Sequence, residues 1–343
     1  MNQTRPKVTL KKKRVVIVDS DILVYRVAAA CEKRTIEVTH KKSKRKKIFD
    51  NRTEFKAFLE AKKFTYVETD YKIKDIQTVN EDIPWKQVFE RQIASFKEIL
   101  WGEELIFLIS GDNNFRDVLP LPKAYKGNRQ EALKPLLRQE CKEYLKGKYR
   151  ATVTHGEEVD DAVIWLGYEY LAKGYEVIIV TSDKDSNAYS GLSLYDYTKK
   201  KPEIVPIPQL GSLWLDDKGK VRGLGFLFYC LQMLIGDLTD NFKPSELNGE
   251  KFGEKSAYDL LKDCQSEQEA LQVVISKYMS WYPKRFTYKD WTGKTHSATW
   301  KDIIDLYHKC TRMRETRDDK LNFADFAKQY GIDLDNYVDE VTE

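Results

Sequence analysis

The chain of 343 residues carries 58 Lys and Arg against 54 Asp and Glu, a formal net charge of +4, with 41% hydrophobic and 33% charged residues. That balance supports a large buried core plus an appendage and excludes wholesale disorder. Five scattered cysteines (Cys31, Cys141, Cys230, Cys264, Cys310) include no C-x-x-C pair, which excludes a disulfide scaffold or structural zinc site and points to a reducing, cytoplasmic setting.

Taken in chain order, 14–19 reads as a buried β-branched strand and 22–31 as a helix. Asp19 and Asp21 interrupt this apolar stretch where a signal peptide would be most apolar. Residues 35–40 and 46–49 read as a hairpin with its tip at 41–45. Helices follow at 54–63 and 85–101, a second buried strand at 104–110, and a helix at 129–146. A short strand at 150–153, an amphipathic helix at 159–173 and a third strong strand at 176–181 complete an alternation that predicts βαβ units. The expected fold is therefore α/β, with a mainly parallel central sheet and flanking helices. Beyond about residue 211 short helices dominate, at 223–235, 254–261, 267–281 and 300–314, so the expected domains are 1–210 and a helical region 211–343. The longest apolar run, 224–235, falls far short of the roughly 20 residues a membrane span needs. The acidic tail after Leu334 reads as a frayed end.

The acidic residues recur at the carboxyl ends of the expected strands. Asp19 ends the first, Asp112 follows the second, and Glu157, Glu158, Asp160 and Asp161 open the helix after 150–153. Asp183 and Asp185 follow the third strong strand, and Asp237 and Asp240 follow the helix rich in apolar residues. One such Asp is commonly a helix cap or turn residue; the repetition carries the inference. In an open parallel sheet the carboxyl ends of the strands converge on one crevice. Two unit charges ~4 Å apart repel by about 4 kcal/mol at an effective dielectric of about 20. Converging carboxylates therefore call for a cation, and oxygen ligands without Cys or His suit Mg²⁺ or Mn²⁺.

Between Leu119 and Arg150 nine basic residues stand against three acidic ones, a net +6 beside these acids. This arrangement suits a polyanion, and Tyr125 beside Lys126 offers a ring for an unpaired base. Without the acids the same segment would read as a solvated amphipathic helix. Residues 41–47 hold six basic residues in seven, a run that commonly makes only a solvated loop, with extra contact to nucleic acid as the alternative reading.

The motifs Asp19, Gly111-Asp112-Asn113-Asn114-Phe115-Arg116, Tyr125-Lys126-Gly127-Asn128-Arg129, Glu158-Val159-Asp160-Asp161, Ser182-Asp183-Lys184-Asp185 and Gly236-Asp237-Leu238-Thr239-Asp240-Asn241 are similar, in content and order, to bacteriophage 5′–3′ exonucleases of the flap endonuclease family. The resemblance implies a PIN-like core, a basic arch at about 119–150 and a helix–hairpin–helix element at about 236–262. It places Asp19, Asp112, Glu158, Asp160 and Asp161 around one metal ion and Asp183, Asp185, Asp237 and Asp240 around a second. Lys126 becomes the active-site lysine and Arg129 steers phosphate; Arg116, Tyr125, Gly253, Lys255 and Ser256 join them against nucleic acid. The implied activity is two-metal-ion hydrolysis of phosphodiesters near 5′ ends, with Mg²⁺ or Mn²⁺ as cofactor, in phage DNA replication or primer removal. The implied partner is DNA with a 5′ end, flap or nick, or an RNA–DNA hybrid, bound by a monomer in the host cytoplasm without a membrane. Two departures stand out. Lys251 replaces the first glycine of the family's Gly-x-Gly-x-Lys turn, the turn that holds K⁺. The stretch 35–101 is an insertion to which the resemblance assigns no role.

Two other readings fit less of the chain. A haloacid-dehalogenase-type phosphatase would use Asp19 as nucleophile and Asp21 as acid/base, leaving the Tyr125–Arg129 string and Asp237–Asp240 unexplained. A non-catalytic nucleic-acid-binding relative would have no need of the full acid set.

Overall fold

The run Arg14–Asp19 forms strand β1 with all six residues buried, as an apolar block covered on both faces should. The computed structural model describes residues 13–64, 67–129 and 133–337. Helix α1 (Ser20–Ala30) follows, then β2 (Glu32–His40), β3 (Lys46–Phe49), α2 (Arg52–Ala61), β4 (Tyr71–Val79) and α3 (Trp85–Leu100). Next come β5 (Glu104–Asn114), α4 (Arg138–Tyr149), β6 (Thr152–Gly156), α5 (Val159–Ala172), β7 (Glu176–Val180), β8 (Ser193–Tyr195) and β9 (Ile204–Pro206). The remainder is β10 (Ser212–Leu215), β11 (Val221–Leu224), α6 (Phe226–Ile235), α7 (Glu254–Leu261), α8 (Glu267–Trp281), β12 (Phe286–Lys289), β13 (Thr295–Ala298), α9 (Trp300–Thr311) and α10 (Phe323–Gln329).

The α/β class is as expected: a six-stranded sheet runs β6-β5-β1-β7-β8-β9, parallel throughout except for the β8–β9 pair. From β1 the chain builds to one side through β5 and β6, then returns to the other side with β7. The topological switch point therefore lies between β1 and β7.

Two compact units divide the chain at positions other than 210. The first takes the described residues of Met1–Asp21, Leu100–Ala132 and Ala151–Glu343, so the region after 211 groups with the parallel sheet. Its second core surrounds α6, whose residues from Phe226 to Leu234 are all buried because the helix is apolar on every side. The second unit takes Ile22–Ile99 and Leu133–Arg150. It contains an antiparallel sheet β3-β2-β4 with α2 packed on it through Phe55 and Leu59. Glu90 of α3 accepts hydrogen bonds from Tyr144 at 2.5 Å, Tyr149 at 2.6 Å and Lys148 at 2.7 Å, all on α4. The helix expected from 129 begins only at Arg138, past Pro135, whose ring disfavours helix in the residue before it. Residues 130–132 of that span, and 338–343 of the acidic tail, lie outside the described residues.

His308 of α9 is 1% exposed, with its Nδ1 2.7 Å from the Tyr229 hydroxyl. Burial, then the charges of Arg312 and Lys309, hold its pKa well below the ordinary 6.5. The unfolded chain therefore binds a proton that the folded chain refuses, so this group's contribution to stability is lost as pH falls below 6.5. Urea unfolding at pH 7.5 and 5.5 should show wild type losing about 1.4 kcal/mol more than His308→Gln over that interval. Equal losses would refute the assignment.

Candidate active site

The switch point collects acids because three strands end there. Asp19 closes β1, and its Oδ1 accepts the backbone N–H of Asp21 at 3.2 Å. Asp19 thus caps α1, and Asp21 lies inside the first turn. Across the β1–β7 gap the Thr181 hydroxyl donates to Asp19 Oδ2 at 3.3 Å and accepts the Asp183 N–H at 3.0 Å. Asp183 Oδ1 in turn accepts the Asp185 N–H at 2.9 Å. Asp160 enters from the first turn of α5.

These four acids repel one another. Burial, then the charges of Asp21 and Asp183, raise the Asp19 carboxyl to about 7. Burial, then Asp19, Asp183 and Glu158, raise Asp160 well above the ordinary carboxylate range. Burial, then Asp240, raises Asp183, and burial, then Asp183, raises Asp185 to about 8. None of the four forms an ion pair among the described residues.

A second set of acids is neutralised. Lys126 Nζ contacts Glu158 Oε1 closely and lies 3.8 Å from Asp240 Oδ2, while Arg129 donates to Asp240 Oδ1 at 2.7 Å. Lys184 sits 2.8 Å from Asp237 Oδ2; burial pushes that carboxyl up, but the ammonium and the Thr239 and Asp240 N–H groups outweigh burial and hold it below its ordinary value. Two loops carry these residues and are clasped together: Lys126 N–H donates to Asp240 O at 2.9 Å, and Asn241 Nδ2 to Ala124 O at 2.9 Å. Gly236, with φ +71°, starts the second loop, where a Cβ would meet Phe242 O at 2.5 Å. Lys126, Glu158, Asp160, Asp183, Asp185 and Asp240 all line one cavity of about 130 Å³. A larger cavity of about 810 Å³ shares Asp183 and Lys184 with it and adds Lys199, Arg222 and the exposed Trp214 ring.

Arg116 and Tyr125 line the same cavity but are held differently from what the motifs implied, and Asp112 and Asp161 lie outside its lining. β5 continues to Asn114, and its register against β6 shifts between Ser110 and Asn114. The shift passes through Gly111, where a Cβ would lie 2.1 Å from Thr154 O, and leaves Asp112 exposed outside the cavity. Asp161 does not line the cavity: fully buried, it takes a bidentate pair from Arg116 at 2.6 and 2.9 Å. Arg116, expected against nucleic acid, is itself 2% exposed and also donates to the carbonyls of Lys309 and Arg312. The Tyr125 ring is 7% exposed in the core and its hydroxyl donates to Asp240 at 2.8 Å, so it presents no free face to a base. Gly253 precedes α7, where Lys255 and Ser256 are exposed.

Sequence reading missed Thr181, Gln232 and the role of Lys184. Gln232 Nε2 bonds closely to Asp185 Oδ1, and its buried Oε1 has no partner among the described residues. The one signal was an amide inside the apolar run of α6.

Among the described residues, no group of three or more His, Cys, Asp or Glu side chains stands gathered closely enough to enclose a metal ion as it is. In kind the donors fit a hard divalent cation: oxygen atoms only, four acids without cationic partners, and an orphaned amide oxygen beside them.

The chain is similar to solved structures of a bacteriophage T5 protein. One, co-crystallised with metal ions, is 18% identical over 77% of this chain and 79% of that one, with a TM-score of 0.41. Another, the T5 5′-exonuclease with bound zinc, is 17% identical over 77% and 89%, with a TM-score of 0.42. A third, a T5 flap endonuclease complex with DNA and metal ions, is 14% identical over 77% and 88%, with a TM-score of 0.42. A likeness at this level fixes neither family nor activity. No protein-family model and no curated protein matches the chain. No helix among the described residues is long and apolar enough to cross a membrane.

Proposed function

We propose that the chain is a metal-dependent nuclease that hydrolyses phosphodiester bonds near 5′ ends of DNA. The observation that carries this reading is the set of four mutually repelling acids, Asp19, Asp160, Asp183 and Asp185, gathered at the switch point beside Lys126 and Arg129. The order of motifs along the chain supplies the 5′-end specificity of the proposal.

Asp19, Asp160, Asp183 and Asp185 would hold Mg²⁺ or Mn²⁺, with Glu158, Asp237 and Asp240 beside them. Bound there, divalent ions supply hydroxide at neutral pH and charge neutralisation at the leaving oxygen. Thr181 and Gln232 fix the orientation of Asp19 and Asp185 through their hydrogen bonds. Lys126 is 23% exposed at the cavity, so its ammonium can meet a phosphodiester oxygen from within a partly dry site, where a fixed charge counts most. Arg129, half-exposed, offers a planar donor fork to a neighbouring phosphate. Exposed Lys255 and Ser256, in the first turn of α7, would contact the duplex backbone. The altered turn at Lys251 gives no support for K⁺ there.

The deciding assay uses 5′-flap, nicked, blunt and RNA–DNA hybrid substrates labelled at the 5′ end. Labelled product should appear with Mg²⁺ and vanish with chelator, and the substrate ranking would separate flap cutting from end trimming. Product formation that persists in chelator, or no cleavage of any substrate, would reject the reading.

A further inference from the structure

The second unit carries a cavity unlike the acidic one. It measures about 560 Å³, within the range of ligand pockets, and lies among β2, β3, β4 and α2. Phe49, Phe55, Phe58, Phe64 and Tyr71 line it, and no Asp or Glu does among the described residues. Phe49 and Phe55 are buried in the small core, with centroids 5.1 Å apart, and Phe55 meets Tyr71 at 5.1 Å. Phe64 is 58% exposed, a large apolar ring left open to solvent at the cavity. Lys47 Nζ stands 4.0 Å from the Phe58 ring centroid.

Cations surround this opening. Arg45, Lys46 and Lys47 line the cavity, and Lys41, Lys42 and Lys44 continue the same run around the hairpin tip. Lys46 pairs with Glu37 at 3.1 Å; none of the other five forms an ion pair among the described residues. The hairpin holds them together: His40 N–H donates to Arg45 O, Lys44 N–H to His40 O, and Lys41 N–H to Asp70 O. Like charges fixed this closely repel, so the site is complementary to a polyanion.

We propose that this cavity is a binding site for an unpaired nucleic-acid strand, one base stacking against the exposed Phe64 ring at its mouth while the basic tip follows the flanking phosphates. A base has the flat π face that open aromatic rings accept, and Arg and Lys at the rim meet both ring and phosphate. An acidic peptide would satisfy the cations but leave the rings without a planar partner. A duplex keeps its bases stacked inside and could use only the charges. The proposal is independent of the nuclease reading, because it concerns strand binding at residues that take no part in the acidic site.

The test measures binding, in chelator, of the full chain to a small circular oligothymidylate with an internal fluorophore. A circle has no 5′ end, so its binding is a separate question from 5′ cleavage. The circle should bind, and Phe64→Ala should weaken it roughly tenfold without changing the slope of log affinity against log salt. Phe64→Trp should restore binding. Triple replacement Lys42→Gln, Lys44→Gln, Arg45→Gln should reduce that slope by about 2, at about 0.7 per phosphate contacted. Phe64 is mostly exposed, so its variants should keep the wild-type circular dichroism. The proposal is overturned if Phe64→Ala binds as wild type does, if the triple variant keeps the full slope, or if polyglutamate displaces the circle as well as unlabelled circle does.

Discussion

Asp160→Asn should abolish cleavage in Mg²⁺ and, in chelator at pH 8, raise the melting temperature of the same protein. The first effect should be on the order of 10³-fold or more, since divalent ions contribute several kcal/mol at ~1.4 kcal/mol per decade. The second follows from the charge layout. Burial and the carboxylates of Asp19, Asp183 and Glu158 raise the Asp160 pKa in the folded chain well above its unfolded value. The folded state then holds a proton that the unfolded state has released, so this stabilising contribution is present at low pH and is lost as pH rises through the folded pKa. An amide carries no charge at any pH and removes that loss, while also relieving Asp19. Functional sites often trade stability for chemistry in this way. Asp183→Asn should behave alike, being raised by burial and by Asp240. DNA binding measured in chelator should change little, because positive charge at Lys126 and Arg129 remains. Full turnover in either variant would remove it from the proposed metal site, and an unchanged or lowered melting temperature at pH 8 would show that the acids do not repel as argued.

What could be read in advance depended on how local the determining physics is. β1 and β7 were legible because each has four consecutive β-branched residues, Val15–Val18 and Val177–Val180, bounded by polar ones, as suits a covered strand. The α7 and α8 bounds, Glu254–Leu261 and Glu267–Trp281, followed from apolar spacing and, for α8, from the Ser266 cap. Strand β4 was missed because its Tyr71–Val79 sequence places Lys, Asp and Gln between its apolar residues, as a half-solvated sheet allows. The β12–β13 hairpin was missed too, although Asp290 to Gly293 carries turn residues and Gly293 has φ +90°.

At the site, placement at strand ends gave the inner acids Asp19, Asp160 and Asp183, because sheet geometry alone brings strand ends together. It failed where a side chain's partner is remote in sequence. Nothing near Arg116 says that its guanidinium meets Asp161, 45 residues on, or the carbonyl of Arg312. An arginine and a tyrosine beside basic residues read as surface, yet both are buried by groups from distant parts of the chain. Asp112 failed for another reason: the register shift past Gly111 displaces it, and a single sequence carries no mark of that irregularity.

Asp161→Ala should destabilise the fold by about 3–5 kcal/mol, the loss expected when one partner of a buried ion pair is removed. Both groups are nearly inaccessible, 0% and 2% exposed, so water cannot take over the missing contacts. Asp161 also accepts the N–H groups of Glu158 and Arg314, at 3.2 and 3.1 Å, so its loss strands two backbone donors besides the guanidinium. Arg116 in turn joins the segment after β5 to the end of α9 through the carbonyls of Lys309 and Arg312, so the damage should spread to the α9 end that lines the acidic cavity. Asp161→Asn keeps a hydrogen-bond acceptor of the same shape and should lose markedly less. Replacing both partners, Arg116→Met with Asp161→Leu, should recover part of the single-variant loss, because no buried charge is then left unpaired. Urea denaturation of the four proteins at pH 7.5 gives the comparison. If Asp161→Ala unfolds at the wild-type midpoint while Mg²⁺-dependent cleavage is lost, Asp161 belongs with the acids proposed to hold metal rather than with Arg116.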